Sequence, residues 1–229
     1  EDLIIQKMFA NDFTDKPFTT AEFCNLMGKI SKEKSKHPEK SFITTAYDYD
    51  VPVYISTIKD SSLALNLAVH RLHDKVYSLD FVKEIIEQAS ILYNSKKSGI
   101  VELGGGVPKN TAQQTGPLLD QILQRNDGGQ DYVIQITDAR PDTGGLSGAT
   151  LQEGKSWGKV QDAHHDMITV YADATIAFPI LALYVLSNQK PREPKRLYKK
   201  LGKYYEKLQA DYLKTPNIDR KQKAKKNKK

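Results

Sequence analysis

Apolar and polar positions along the chain follow two periods in turn. The run VPVYIS (51–56) is nearly continuous and reads as a buried strand. SSLALNLAVHRLH (61–73) then repeats its apolar residues at helical spacing, and DFVKEIIEQASILYNS (80–95) predicts a second amphipathic helix. GIVEL (99–103) reads as a strand that ends in Gly104, Gly105 and Gly106. A helix is expected over 108–125, with Pro108 suited to its first turn. DYVIQIT (131–137) and ITVYAD (168–173) are two further strands. ATIAFPILALYVLS (174–187) is apolar nearly all round, as in a helix buried against a sheet, with Pro179 kinking it or marking its start. The charged stretch 28–41 is a loop or frayed helix end, and no internal repeat is present.

Strands alternating with helices predict an α/β fold: a parallel sheet covered by helices on both faces, with right-handed crossovers. Such Rossmann-like sheets bind ligands at the carboxyl ends of their strands. Two regions are expected, a catalytic domain over 1–189 and a basic carboxyl-terminal helix with a disordered lysine-rich tail over 190–229.

Composition narrows the class. The chain has 229 residues, 39% hydrophobic and 27% charged, which fits a globular protein with a real core. No apolar run approaches the ~20 residues of a bilayer span. No basic-then-apolar leader is visible, and Cys24 is the sole cysteine, so a cytoplasmic protein without disulfides is expected. The formal charge of +6 hides an asymmetry: residues 190–229 carry 16 Lys and Arg against 4 Asp and Glu, leaving the body mildly acidic. The final RKQKAKKNKK has no interleaved aromatic residue, so nucleic-acid binding is not expected.

Three places at strand ends carry candidate chemistry. The glycine triplet lets backbone amides approach a phosphate or cofactor, or serves only as a tight turn. The thirteen-residue loop DARPDTGGLSGAT (138–150) is either a dinucleotide wrap or a mobile connection. Asp173 follows the last strand. Next to the loop stands GKSWGKV (154–160), where Lys159 is a candidate nucleophile. A lysine attacks a carbonyl or imine carbon only as the neutral amine. Trp157 could cover an ammonium group and Glu153, four residues earlier, could pair with one, so the three together suit a polyamine; a surface lysine is the plainer alternative. His70, His73, His164 and His165 lack companions at ligand spacing and read as surface or structural histidines, with no metal expected.

VELGGGVPKN (101–110), SGATLQEGKSWGKV (147–160) and VYADATIAFP (170–179) together resemble the deoxyhypusine synthase family, in order and spacing, over most of 40–189. That family uses NAD to oxidise spermidine and holds the aminobutyl fragment as a lysine imine. The fragment then passes to a lysine of translation initiation factor 5A. The resemblance implies that Lys159 forms the imine and that Glu153, Trp157, Asn110 and Gln114 bind the amine. It places Asp60, Gly104, Gly106, Ala139, Gly144, Gly145, Ser147 and Asp173 against NAD. It also implies a homo-oligomer, since family members form tetramers with active sites at dimer interfaces.

Three positions depart from the pattern of the eukaryotic members. Asn110 stands where they have a histidine, Leu146 where they have an aspartate, and Leu65 in place of another acid. Each change removes a negative charge or a proton carrier. The GGLSGAT loop looks more like the bacterial branch, for which two acceptors stay open: the factor 5A lysine, or a small amine such as putrescine, giving homospermidine. A catalytically silent regulatory subunit of a paralogue is a third reading. The family's amino-terminal third has no counterpart here, which implies an amino-terminal partner chain or an incomplete cofactor site.

Overall fold

A computed structural model describes residues 16–125, 129–161 and 167–214, and these fall into two compact units. The lysine-rich end of the tail and His164–His165 lie outside the described residues.

The first unit comprises residues 16–87 with 193–202. Its helix α1 (Thr20–Lys34) starts at a capping box: the Thr19 hydroxyl accepts from the Glu22 N–H while the Glu22 carboxylate accepts from the Thr19 N–H. Two backbone donors are thereby satisfied at once. Much of the stretch expected as loop or frayed end is thus helix. A 3₁₀ turn (Pro38–Lys40) and α2 (Phe42–Asp48) follow, then α3 (Ser62–Arg71), capped by Ser61. α4 (Phe81–Tyr93) begins here.

The expected strand at 51–56 does not form. Val53 and Ile55 still pack against the core of Phe18, Phe23, Cys24 and Ile30, so the apolar run is real. Its backbone is used differently: the Ile55 N–H donates to the Thr20 hydroxyl, and that hydroxyl donates to the buried Glu84 carboxylate. Pro52 has no N–H to give a ladder. Apolar continuity alone does not distinguish a strand from an extended segment tied down by side chains.

Asp50 closes this unit. It sits at φ 51°, 6% exposed, with its carboxylate 2.7 Å from Arg196 and 3.0 Å from Lys199. Burial works to raise its pKa, but the hydrogen bonds from Arg196 and Lys199 outweigh burial and hold it below the usual carboxylate range. A depressed native pKa stabilises the fold above the unfolded value, about 3.9, and that contribution is lost as pH falls through the native value. Thermal melts of Asp50→Asn and wild type should therefore differ at neutral pH, and the difference should shrink from about pH 4 downward and close only below the depressed native pKa, where both carry a neutral group. Equal melting temperatures across the range would contradict this.

The second unit holds the sheet. β1 (Gly99–Leu103), β2 (Tyr132–Thr137) and β3 (Met167–Tyr171) run parallel in the order β1-β2-β3, pairing Glu102 with Gln135 and Gln135 with Thr169. With its helices this is an α/β, Rossmann-like arrangement. Between β1 and β2 the expected helix forms in three pieces, α5 (Val107–Gln113), a short α-helical segment (Thr115–Pro117) and a π-helical stretch (Leu118–Ile122), with the break after α5 at Gln114. Pro117 has no N–H to return to the Gln113 carbonyl, so the helical ladder breaks at the end of α5. Between β2 and β3 lies α6 (Leu151–Ser156), and its Leu151 packs with Val133 and Val160 in the core.

α7 (Ala174–Asn188) follows β3, with Pro179 inside it, and α8 (Leu201–Lys214) ends the described chain. The expectation that α7 is buried is not met: Ile180 is 67% exposed and Leu186 79%. The sheet face carrying Val101 and Ile168 is about half exposed too. A sequence pattern records that a surface suits burial, but not whether the described residues supply its cover.

Candidate functional site

All the candidate residues except Asp60 belong to the second unit. Asp60 lies in the first, in the turn before α3, where its N–H donates to the Thr57 carbonyl.

β1 delivers the chain into the triplet, and Gly104 and Gly106 adopt φ values of +75° and +87°, which side-chain-bearing residues rarely take. Gly105 is needed for space instead, because a Cβ there would strike the Ser147 backbone. The turn completed, α5 begins with Pro108 in its first turn and projects Lys109, Asn110 and Gln113 toward the loop that follows β2.

That loop has a fixed base and an open apex. At the base, Gln135 and Thr137 donate to the Ser147 carbonyl, at 3.2 and 3.4 Å, and Lys109 donates to the Ala149 carbonyl at 2.7 Å. At the apex, a Cβ on Gly144 or Gly145 would meet nothing within 4 Å. Thr150 then starts α6 with a second capping box, in which the Glu153 carboxylate accepts from the Thr150 N–H at 2.8 Å.

α6 ends at Trp157, and Gly158 (φ +71°) turns the chain into Lys159. The Lys159 backbone is held on both sides, its N–H donating to the Gly154 carbonyl and its carbonyl accepting from the Gln130 N–H. Two glycines make room for it. A Cβ on Gly116 would lie 2.6 Å from the Gly158 carbonyl oxygen, and one on Gly129 would overlap the Lys159 carbonyl.

The result is a cleft of about 340 Å³ in which Lys159, Asn110, Gln114, Glu153 and Trp157 meet. The Lys159 ammonium donates to Asn110 Oδ1 at 2.6 Å. Trp157 is 63% exposed at the wall, and Leu146 is 45% exposed on the loop side. Under the cleft lies a buried pair not anticipated from sequence, Lys109 with Glu102 at 3.7 Å, their side chains 6% and 1% exposed. Burial raises the Glu102 pKa, opposed by Lys109 and by a hydrogen bond from Gln113. Burial also lowers that of Lys109, opposed by Glu102 and reinforced by the charge of Lys159. The signal available in sequence was the single acid in the strand GIVEL, since an unpaired acid is seldom buried.

The other candidates cluster at the carboxyl ends of the strands. Gly104 follows β1, and its N–H donates to the Ile136 carbonyl. Ala139 follows β2 and donates to the Thr137 hydroxyl. Asp173 follows β3 as the N-cap of α7, its carboxylate accepting from the N–H and hydroxyl of Thr175, which lower its pKa. A second cleft of about 830 Å³ opens next to them, lined by Asp138, Arg140, Pro141, Asp142, Tyr171 and Ala172, and none of the candidate residues is in its lining. Open glycines, positive-φ turns and a carboxylate at a strand end form a donor and acceptor set that fits a dinucleotide. Among the described residues no helix is long and apolar enough to cross a membrane, and no group of three or more His, Cys, Asp or Glu is placed to hold a metal ion.

A family model for deoxyhypusine synthase matches residues 1–185. A deoxyhypusine synthase-like protein of Nostoc punctiforme is 43% identical over 220 residues, covering 93% of this chain and 56% of that protein. A probable deoxyhypusine synthase 2 of Methanosarcina acetivorans is 36% identical over 82% of this chain and 53% of its own length. A deoxyhypusine synthase-like protein of Coxiella burnetii is 33% identical over the same shares, 82% and 53%. The chain spans about half the length of the curated relatives it matches.

Proposed function

The chain belongs to the deoxyhypusine synthase family, and from that premise we propose that it carries the lysine center of an NAD-dependent aminobutyl transferase acting on a polyamine. The observation that carries the reading is the convergence of Lys159, Asn110, Gln114, Glu153 and Trp157 on one cleft, with the Lys159 amine hydrogen-bonded to Asn110.

In this reading the Lys159 amine attacks the imine carbon of an oxidised spermidine. A C–N bond forms to Lys159, the bond to the diaminopropane leaving group breaks, and the expelled amine departs with the proton. Asn110 Oδ1 orients the nucleophile through its hydrogen bond. Trp157 shields the free ammonium of the fragment, and Glu153 offers it a carboxylate. A cleft of about 340 Å³ lies within the ordinary range for small-ligand sites. Gly104, Gly106, Ala139, Gly144, Gly145, Ser147 and Asp173 would hold NAD; Asp60, carried by the first unit, is a NAD contact by resemblance alone. Bound there, NAD supplies hydride transfer to and from the amine carbon. A homo-oligomer, completed by residues corresponding to the unmatched half of the relatives, is part of the same proposal.

Leu146 favours a second reading for the acceptor. It lines the cleft on the side where a charged group would guide a lysine-bearing protein, and a small amine needs no such guide. Putrescine as acceptor would yield homospermidine. Feeding putrescine and factor 5A in parallel separates the two.

Borohydride trapping tests the donor half. With NAD and spermidine present, peptide mapping should find a reduced aminobutyl adduct on Lys159. An adduct on another lysine, or none while NAD binds, would sink the assignment.

A further inference from the structure

The crossover between β1 and β2 comes back to the cleft at the far end of α6. Its π-helical stretch (Leu118–Ile122) is wider than an α-helix, the Leu123 N–H reaching back five residues to the Leu118 carbonyl at 2.8 Å. Within this stretch Gln121 lies against the turn that leaves α6, and its Nε2 donates to the Trp157 carbonyl at 2.9 Å. A Cβ on Gly158 would lie 3.2 Å from that same Nε2 and 3.7 Å from Asp120 Oδ2. The turn is therefore touched by the crossover at both of its residues.

The carbonyl matters because of the peptide plane it belongs to. α6 is six residues long, and the carbonyls at its end need partners beyond the helix. Those of Gly154 and Lys155 are met inside the turn, by the N–H groups of Trp157, Lys159 and Gly158. The Trp157 carbonyl is met by Gln121. The Trp157–Gly158 peptide is thus held at both ends, its N–H donating to the Lys155 carbonyl at 2.9 Å and its oxygen accepting from Gln121. That plane sets ψ of Trp157, 1°, and φ of Gly158, +71°. Glycine takes either sign of φ about equally well, so the local sequence leaves the plane free to flip. A flip would break the Lys155 bond and re-aim the two residues that flank the glycine, Trp157 and Lys159, both of which line the cleft.

We propose that Gln121 is a positioning residue for the lysine chemistry: its hydrogen bond selects the orientation of the Trp157–Gly158 peptide in which the indole and the Lys159 amine face one cleft. Gln121 does not line that cleft and acts through the turn. The proposal rests on Lys159 being the imine-forming lysine.

Trp157 is the sole tryptophan of the chain, so its fluorescence reports on this turn. The full chain is used in the assembly it forms. Gln121→Met keeps the length of the side chain and removes the donor. Its tryptophan anisotropy should decay with a larger nanosecond component than in wild type. Borohydride trapping of the aminobutyl adduct on Lys159, with NAD and spermidine, should be slower by about tenfold. The melting temperature should stay close to that of wild type, because Gln121 is exposed and surface substitutions move stability little. Gln121→Arg, which keeps an N–H donor at this position, should retain the wild-type values of both readouts. Anisotropy or trapping unchanged in Gln121→Met overturns the proposal. So does equal damage in Gln121→Met and Gln121→Arg, which would make the role one of shape. A wild type that forms no adduct on Lys159 overturns the imine-lysine reading, and this proposal with it, whatever the anisotropy shows.

Discussion

Lys159→Ala in the full assembly should lower aminobutyl transfer by about 10³-fold or more while leaving the melting temperature within a few degrees of wild type. The size follows from chemistry: with no amine at this position the fragment has no covalent carrier, and positioning alone must support any remaining turnover. The small stability effect follows from the surroundings. The side chain is only half-buried, and the bonds that hold this residue are made by its backbone, to Gly154 and Gln130, which alanine preserves. Turnover and thermal denaturation measured on the same preparation check both halves. Unchanged turnover would favour the silent-subunit reading. Lost turnover with a collapsed melting temperature would make Lys159 a structural residue.

Gly129→Ala should act on the same lysine from behind. Its new methyl would occupy the space of the Lys159 carbonyl, which is backbone and cannot swing aside. Forcing atoms into such a contact costs about 1–3 kcal/mol, and the chain that must yield is the one carrying the proposed nucleophile. The expected result is a melting temperature lower by several degrees with trapping at Lys159 reduced at least tenfold, since small misplacements of a reacting group cost about that much. Gly145→Ala is the comparison for stability. Its Cβ meets nothing within 4 Å and its φ lies outside the positive range, so its melting temperature should match wild type. Equal melting curves for the two alanine variants would contradict the packing argument.

The three strands of the sheet were legible because β-branched residues in 99–103, 131–137 and 168–173 are bounded by glycines, acids and loops. VPVYIS misled for the opposite reason. Its apolar residues do pack inward, but the Thr20 hydroxyl, remote in sequence, takes the backbone bond that a neighbouring strand would have made. At the cleft, Lys159, Trp157 and Glu153 were readable as one constellation since they lie within seven residues. Asn110 and Gln114 were placed by family resemblance. Lys109 and Glu102 stood inside the quoted motif without being singled out, because a lysine becomes unusual only once its burial is known. Gly116 and Gly129 were invisible, since nothing in sequence says whose carbonyl a glycine must make room for.

The glycine loop after β2, anchored by Ser147 and Ala149 but unobstructed at Gly144 and Gly145, bears on how such a protein diversifies. Insertions or side chains at the apex meet no neighbour, whereas any change at the base is felt by Lys109 and the cleft. On the proposed reading, substitutions around Leu146 change what the cleft accepts while leaving the proposed imine lysine, Lys159, untouched. Selection on substrate range and selection on chemistry then fall on separate segments, the apex of the loop and the turn after α6, and one can drift without the other.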